Sequence, residues 1–268
     1  MNKPQPNGPE PLTFYDTRAF VGRARAPVMA DADAPVARLA EDLARHRIVG
    51  AAVGHAVAME ASPRIGHDLL DAELAGYEAT LRPAWHLMPD VDARVERAVL
   101  DPTELLERRV ALGRITMGDF CGGRGHEAGF GPVLQACNTV SLPVFLDFTQ
   151  EGGHGTFRTF DFAFLGLYPR VPFVVEGFGG YPLHRLMWLL REYPHVHLST
   201  VGFSAYRGVE LICETVGAER IVFGSGWPSH PIGMSQGTVA FAEVPSAVRA
   251  QMASGNFRRM LDGIGAIV

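Results

Sequence analysis

Residues 196–225 read VHLSTVGFSAYRGVELICETVGAERIVFGS. Val196–Thr200 and Arg220–Ser225 are short apolar runs with the length and residue types of buried strands, and Gly208–Val216 between them reads as a helix. Strand, helix and strand in this order form the unit of a parallel sheet covered by helices. The same alternation runs back through the chain. Leu12–Gly22 is a first strand, with Asp16, Arg18 and Phe20 expected on one face and Thr17, Ala19 and Val21 on the other. Ala34–Arg47 is a helix, Ile48–Val57 a strand, Pro63–Thr80 a turn and helix, and Leu81–Met88 a third strand. Pro102–Leu112 is a helix and Arg114–Met117 begins a fourth strand. Leu142–Phe148 and Val171–Glu176 are the fifth and sixth strands, and Pro182–Tyr193 is a helix with proline in its first turn. A helix from Pro245 to about Leu261 closes the chain. Eight strands in this pattern predict an α/β fold, a (β/α)8 TIM-like barrel. An open doubly wound sheet is the competing topology. No GxGxxG leads a strand into a helix, which argues against a dinucleotide cofactor.

Composition narrows the function. The chain has 268 residues, 47% of them hydrophobic, and a net charge of −5, so nothing draws it to nucleic acid or anionic lipid. No apolar run approaches the ~20 residues that span a bilayer. The opening MNKPQPNGPEPL lacks an apolar signal core, so residues 1–11 are expected to be a disordered lead before one barrel domain, 12–268. Three scattered cysteines, Cys121, Cys137 and Cys213, with no CxxC pair, point to free thiols in a reducing, cytoplasmic setting. Lys3 is the only lysine and lies in that lead, which excludes Schiff-base chemistry. The expected partner is a small molecule, and the expected assembly a homo-oligomer, most simply a homodimer.

Several segments in order resemble the amidohydrolase-related family that includes the aromatic and aminomuconate-type decarboxylases. Where that family opens with Asp-x-His-x-His-x-Gly, this chain has Asp16-Thr17-Arg18-Ala19-Phe20-Val21-Gly22. Its strand ending in Leu-Pro-Val, apolar residues and His is matched by Leu142–Asp147, and its His-x-Gly-Gly by Glu176–Gly180. Its Phe-Gly-Ser-Asp-x-Pro is matched by Phe223-Gly224-Ser225-Gly226-Trp227-Pro228. Gly255–Leu261 follows the family's Gly-Asn-x-x-Arg-Leu-Leu. The resemblance spans about Leu12–Leu261 and implies the barrel. It also implies five functional positions, and the chain departs at each: Arg18, Phe20, Asp147 and Glu176 stand for histidines, and Gly226 for an aspartate. The carbamylated lysine of the binuclear branch has no counterpart.

A catalytic zinc needs about three protein ligands. Asp147 and Glu176 keep ligating groups, and Asp16 and His55 would have to complete an unusual site, so no cofactor and no metal, zinc included, are expected. Arg18 instead brings a fixed charge able to pair with one or both acids. Asp147 and Glu176 are then the acid–base pair, one of them staying protonated, and Arg18 faces a substrate carboxylate or oxyanion. The alternative is a buried ion network that only fills the old cavity. His55, His86 and His230 lie near strand ends. His126 and His154 lie in two glycine-rich loops, Gly118–Gly131 and Gln150–Thr156, of the kind that carries function on barrels. With Asp16, and with Phe20 and Trp227 as apolar lining, these are candidate substrate contacts. Cys121 has no base tied to it, and Ser225 lacks a nucleophile elbow.

Three readings follow: a metal-independent hydrolase or carbon–carbon lyase acting on a small carboxylate-bearing molecule, a non-catalytic binding relative, and a metallohydrolase with relocated ligands. The acids and the arginine favour the first, since a decayed site would carry apolar or small replacements throughout.

Overall fold

The computed structural model describes residues 11–23, 33–89, 100–117, 129–149, 157, 160–179 and 183–266. The expected lead, apart from Pro11, lies outside them, as do His126, His154 and Cys121.

Nine strands form one sheet in the order β2-β1-β3-β4-β5-β6-β7-β8-β9. They are β1 (Phe14–Arg23), β2 (Asp33–Ala34), β3 (Ile48–His55), β4 (Leu81–His86), β5 (Leu112–Thr116), β6 (Val144–Asp147), β7 (Phe173–Glu176), β8 (Val196–Ser199) and β9 (Ile221–Val222). All neighbours pair in parallel except β2, a two-residue strand antiparallel to β1. The sheet closes on itself. Thr17 N–H donates to the Phe223 carbonyl, Gly226 N–H to that of Arg18 and Phe20 N–H to that of Trp227, each at 3.0 Å. The eight parallel strands therefore make a barrel rather than the open sheet.

Strand alternation splits the apolar residues into two populations. Ala52, Ala84, Leu112, Phe145, Val174 and Val222 fill the interior, plugged from below by Phe257 and Met260 of the last helix. Val53, Leu146, Val175, Leu198 and Ile221 face outward. Against them lie α1 (Val36–Arg45), α2 (Ala56–Glu60), α3 (Pro63–Leu74), α4 (Pro102–Glu107), α5 (Gly131–Val140), α6 (Leu183–Glu192), α7 (Gly208–Thr215) and α8 (Ile232–Ala240). α9 (Ser246–Ala250) and α10 (Asn256–Gly263) are joined by a π-helical turn, Gln251–Gly255.

Several boundaries differ from expectation. The first helix starts at Val36 because Ala34 pairs with Gly22 in β2. The fourth helix stops at Glu107, since Arg109 takes a positive φ of 54° that turns the chain into β5. α8 had no signal in the apolar periodicity. Between β6 and β7 the described residues include a 3₁₀ turn, Ala163–Leu167. Phe148, Phe157, Phe160, Phe162 and Phe164 pack there in tilted and edge-on pairs at centroid distances of 4.8–6.3 Å, adding buried aromatic area.

Candidate active site at the barrel mouth

On three consecutive strands the interior face continues from its apolar core to a polar end. On β5 Leu112 is followed by Arg114 and Thr116, on β6 Phe145 by Asp147, and on β7 Val174 by Glu176. Register sets them side by side: Thr116 pairs with Asp147, and Asp147 with Glu176. These ends form the C-terminal mouth, where barrels of this kind place their chemistry.

Arg18 joins the acids. Its Nη1 lies 2.8 Å from Asp147 Oδ2 and 2.7 Å from Glu176 Oε1, while Nη2 donates to Thr149 Oγ1 at 3.0 Å. Thr149 in turn donates its hydroxyl and its N–H to Asp147 Oδ1, at 2.6 and 2.8 Å. A second guanidinium completes the cluster. Arg114 donates Nε–H to the same Glu176 oxygen at 2.5 Å and Nη2–H to the Thr17 carbonyl at 2.9 Å. The half-buried Phe20 ring packs against both, with guanidinium carbons 5.3 and 5.1 Å from its centroid. Asp147 and Glu176 are fully buried.

A second arginine adds a positive charge to the expected cluster. Burial pushes the Asp147 carboxyl up, but the Arg18 and Arg114 charges and the Thr149 bonds outweigh it and hold Asp147 below the usual carboxylate range. Asp147 is therefore held ionised. Burial alone would lower Arg18, but Asp147 and Glu176 raise it.

Asp16 does not join the quartet. β1 shifts register between Asp16 and Ala19, so its strict alternation fails there. The carboxylate turns to the seam between β1 and the segment after β9. It accepts from Ser225 N–H at 2.7 Å, Ser225 Oγ–H at 2.5 Å and Arg18 N–H at 2.9 Å. Ser225 is thus a seam residue. Burial raises Asp16 to about 6 despite these bonds. An acid raised on folding contributes stability below its unfolded value and loses it as pH rises through its folded value. Asp16→Asn is expected to flatten the fall in stability between about pH 4 and 6, an effect on the order of 3 kcal/mol. Denaturant titrations across that range check it.

The remaining candidates divide. His86 shares the interior face, beside Arg114 in register. His230 folds back on Gly226: a Cβ at Gly226 would lie 2.8 Å from its Nδ1, and Gly226 has a φ of +77° unfavourable to any side chain. That Nδ1 is buried without a partner. His55 and Trp227 are corrections. His55 points out of the barrel, accepts from Val57 N–H at 3.1 Å and lies 3.4 Å from Glu73 of α3. Trp227 donates its indole N–H to Asp42 of α1 at 3.0 Å rather than lining a pocket. Arg114, Thr116 and Thr149 escaped the sequence reading. The signal for Arg114 was a lone charge in LGRIT, a strand otherwise free of charge.

Among the described residues, the mouth does not offer a transition-metal donor set. Arg18 Nη1 already bridges the two carboxylates, and Arg114 Nε binds the same Glu176 oxygen that Arg18 contacts. No group of three His, Cys, Asp or Glu side chains among the described residues forms a donor set.

The family model for amidohydrolases matches residues 15–263. No curated protein matches the chain by sequence. Among solved structures, 5-carboxyvanillate decarboxylase from Sphingomonas paucimobilis superposes with a TM-score of 0.70 at 14% identity, covering 94% of this chain and 99% of its own. A putative 2-pyrone-4,6-dicarboxylic acid hydrolase from Pseudomonas putida gives 0.66 at 17%, covering 94% and 98%. A dihydroxybenzoic acid decarboxylase from a Polaromonas species, with bound manganese and the inhibitor 2-nitroresorcinol, gives 0.67 at 14%, covering 94% and 97%. At these identities the structures share the fold, and the family match carries the assignment: the chain belongs to the amidohydrolase family.

Proposed function

We propose that this protein is a metal-independent hydrolase or carbon–carbon lyase acting on a small carboxylate-bearing molecule. The junction at Arg18 Nη1, which touches an acid on β6 and another on β7, carries this reading. A guanidinium there supplies the fixed positive charge that a developing oxyanion or a substrate carboxylate needs. Asp147, held ionised and bound by Thr149, orients Arg18. Glu176 spends one oxygen on both arginines and keeps Oε2 without a partner, so it is the proton acceptor of the pair. Phe20, half-buried beneath the guanidiniums, is the apolar floor.

In this reading the protein works in the cytoplasm as a homo-oligomer. Cys137 and Cys213 are unpaired, and burial raises Cys137 to about 12, which suits a structural thiol. No described helix is long and apolar enough to cross a membrane.

The test is turnover of a panel of aromatic acids, dicarboxylic acids and their lactones, followed by carbon dioxide release and ring opening. Turnover is expected to survive chelator and to fall about 10²–10⁴-fold in Glu176→Gln. Turnover lost on chelation and restored by a divalent metal would count against it. The mutual pairing of the four charges favours a second reading, a binding protein, which predicts ligand binding with no turnover of any panel member.

A further inference from the structure

Outside the barrel, a cleft of about 510 Å³ opens between the β6–β7 connection and α6, lined among the described residues by Phe160, Asp161, Phe162, His184, Arg185 and Trp188. That volume suits a small organic molecule and far exceeds what a bare inorganic ion fills. None of these residues belongs to the quartet at the mouth. Phe160 and Phe162 are buried in the outer core, where both rings pack against Phe148, while Trp188 is 49% exposed. The lining is therefore largely aromatic, with one indole open to solvent.

Arg185 supplies the charge. Its Nη2 donates to the Phe160 carbonyl at 2.5 Å, and its guanidinium carbon lies 5.7 Å from the centroid of the Phe162 ring. A carbonyl and a ring hold the group in place without neutralising it. Among the described residues Arg185 forms no ion pair, and no acceptor answers its buried Nε–H. Its Nη1 takes no protein acceptor either and, unlike Nε, is not buried. The one acid among the described lining residues, Asp161, is exposed and turns Oδ1 to the Ala163 N–H at 2.9 Å, capping the turn that follows. His184, exposed beside Arg185 on α6, adds a ring N–H whichever tautomer it adopts.

A fixed cation beside an open indole selects a ligand with two features. A carboxylate accepts a charge-assisted hydrogen bond from Nη1. An aromatic ring packs against Trp188 and fills the volume that an ion alone leaves open. We propose that this cleft binds a small aromatic carboxylate, its anion on Arg185 and His184 and its ring against Trp188. The site goes beyond the reading of the mouth and does not rest on it, since the two share no residue.

The indole provides the readout. The chain has three tryptophans, and Trp85 and Trp227 are buried, so quenching of solvent-exposed emission reports on Trp188. Benzoate titrated into the full chain near neutral pH is expected to quench that emission saturably, with a Kd on the order of 1 mM. Benzamide keeps the ring without the charge, and cyclohexanecarboxylate keeps the charge without the aromatic ring. Each is expected to bind at least about 5-fold more weakly than benzoate. Arg185→Gln should weaken benzoate about 10-fold and leave benzamide unchanged. Trp188→Leu, a change at an exposed position that the fold tolerates, should weaken benzoate about 5-fold by calorimetry and leave cyclohexanecarboxylate unchanged. Arg18→Lys separates the cleft from the mouth, because it should leave the Trp188 quenching intact whatever it does to binding there. Equal affinity for benzoate and benzamide, benzoate binding that Arg185→Gln and Trp188→Leu both leave untouched, or quenching that Arg18→Lys abolishes would overturn the inference. So would the absence of saturable benzoate binding.

Discussion

Arg18→Met is expected to destabilise the folded chain by roughly 3–5 kcal/mol at neutral pH, because it leaves two fully buried carboxylates with Arg114 as their one remaining cation. The loss should depend on pH in a defined sense. In the wild-type protein Asp147 titrates below its ordinary value, so its contribution is present above the unfolded carboxylate range and disappears as pH falls through the folded value. Without Arg18, burial becomes the dominant influence on Asp147 and its folded value rises above the unfolded one. The variant then gains relative stability as pH falls. The gap from wild type should be smallest at acid pH and widen as pH rises through the carboxylate range. Urea midpoints for both proteins from pH 3.5 to 7.5 measure this. Arg18→Lys keeps the charge but not the fork, and should recover part of the loss. A methionine variant as stable as wild type at neutral pH would remove Arg18 from the ion network.

Glu176→Leu should be as damaging, again roughly 3–5 kcal/mol, since it strips Arg114 of its acid and Arg18 of one of two. The companion result separates a charge effect from a packing effect. Arg114→Met combined with Glu176→Leu removes a cation and an anion together and leaves Arg18 paired with Asp147. The double variant is expected to be more stable than the sum of the two single losses implies, with a coupling of about 2–3 kcal/mol. Additive losses in chemical denaturation would mean that Glu176 matters for its volume rather than its charge.

The barrel was legible because its strands carry two signals at once. Runs such as PVFLD and FVVE are apolar on both faces until the last residue, and the polar end then falls at the mouth. The closing motif was legible for a related reason. Asn256 donates to the carbonyls of Ala218 and Ile221, at 2.7 and 2.6 Å, while Phe257 plugs the barrel beside Tyr15 and Phe145. The pairing of Arg18 with Asp147 and Glu176 follows from charge and face alone. What escaped depends on tertiary detail. The bulge in β1 turns Asp16 toward Ser225, and period-two alternation has no term for a bulge. Arg114 reaches across β6 to Glu176, a partner 62 residues away, so only the closed barrel shows that a second cation has entered. His55 and Trp227 sit at strand ends but on the outward face, where α3 and α1 hold them.

In this family member guanidinium groups hold the positive charge between the ends of β6 and β7. Elemental analysis of protein produced with manganese and zinc in the medium, joined to anomalous diffraction from its crystals, tests it most directly. The account predicts well under one equivalent of any transition metal per chain, with Arg18 Nη1 between Asp147 and Glu176. A stoichiometric metal bound by Asp147 or Glu176, with Arg18 displaced, would contradict it.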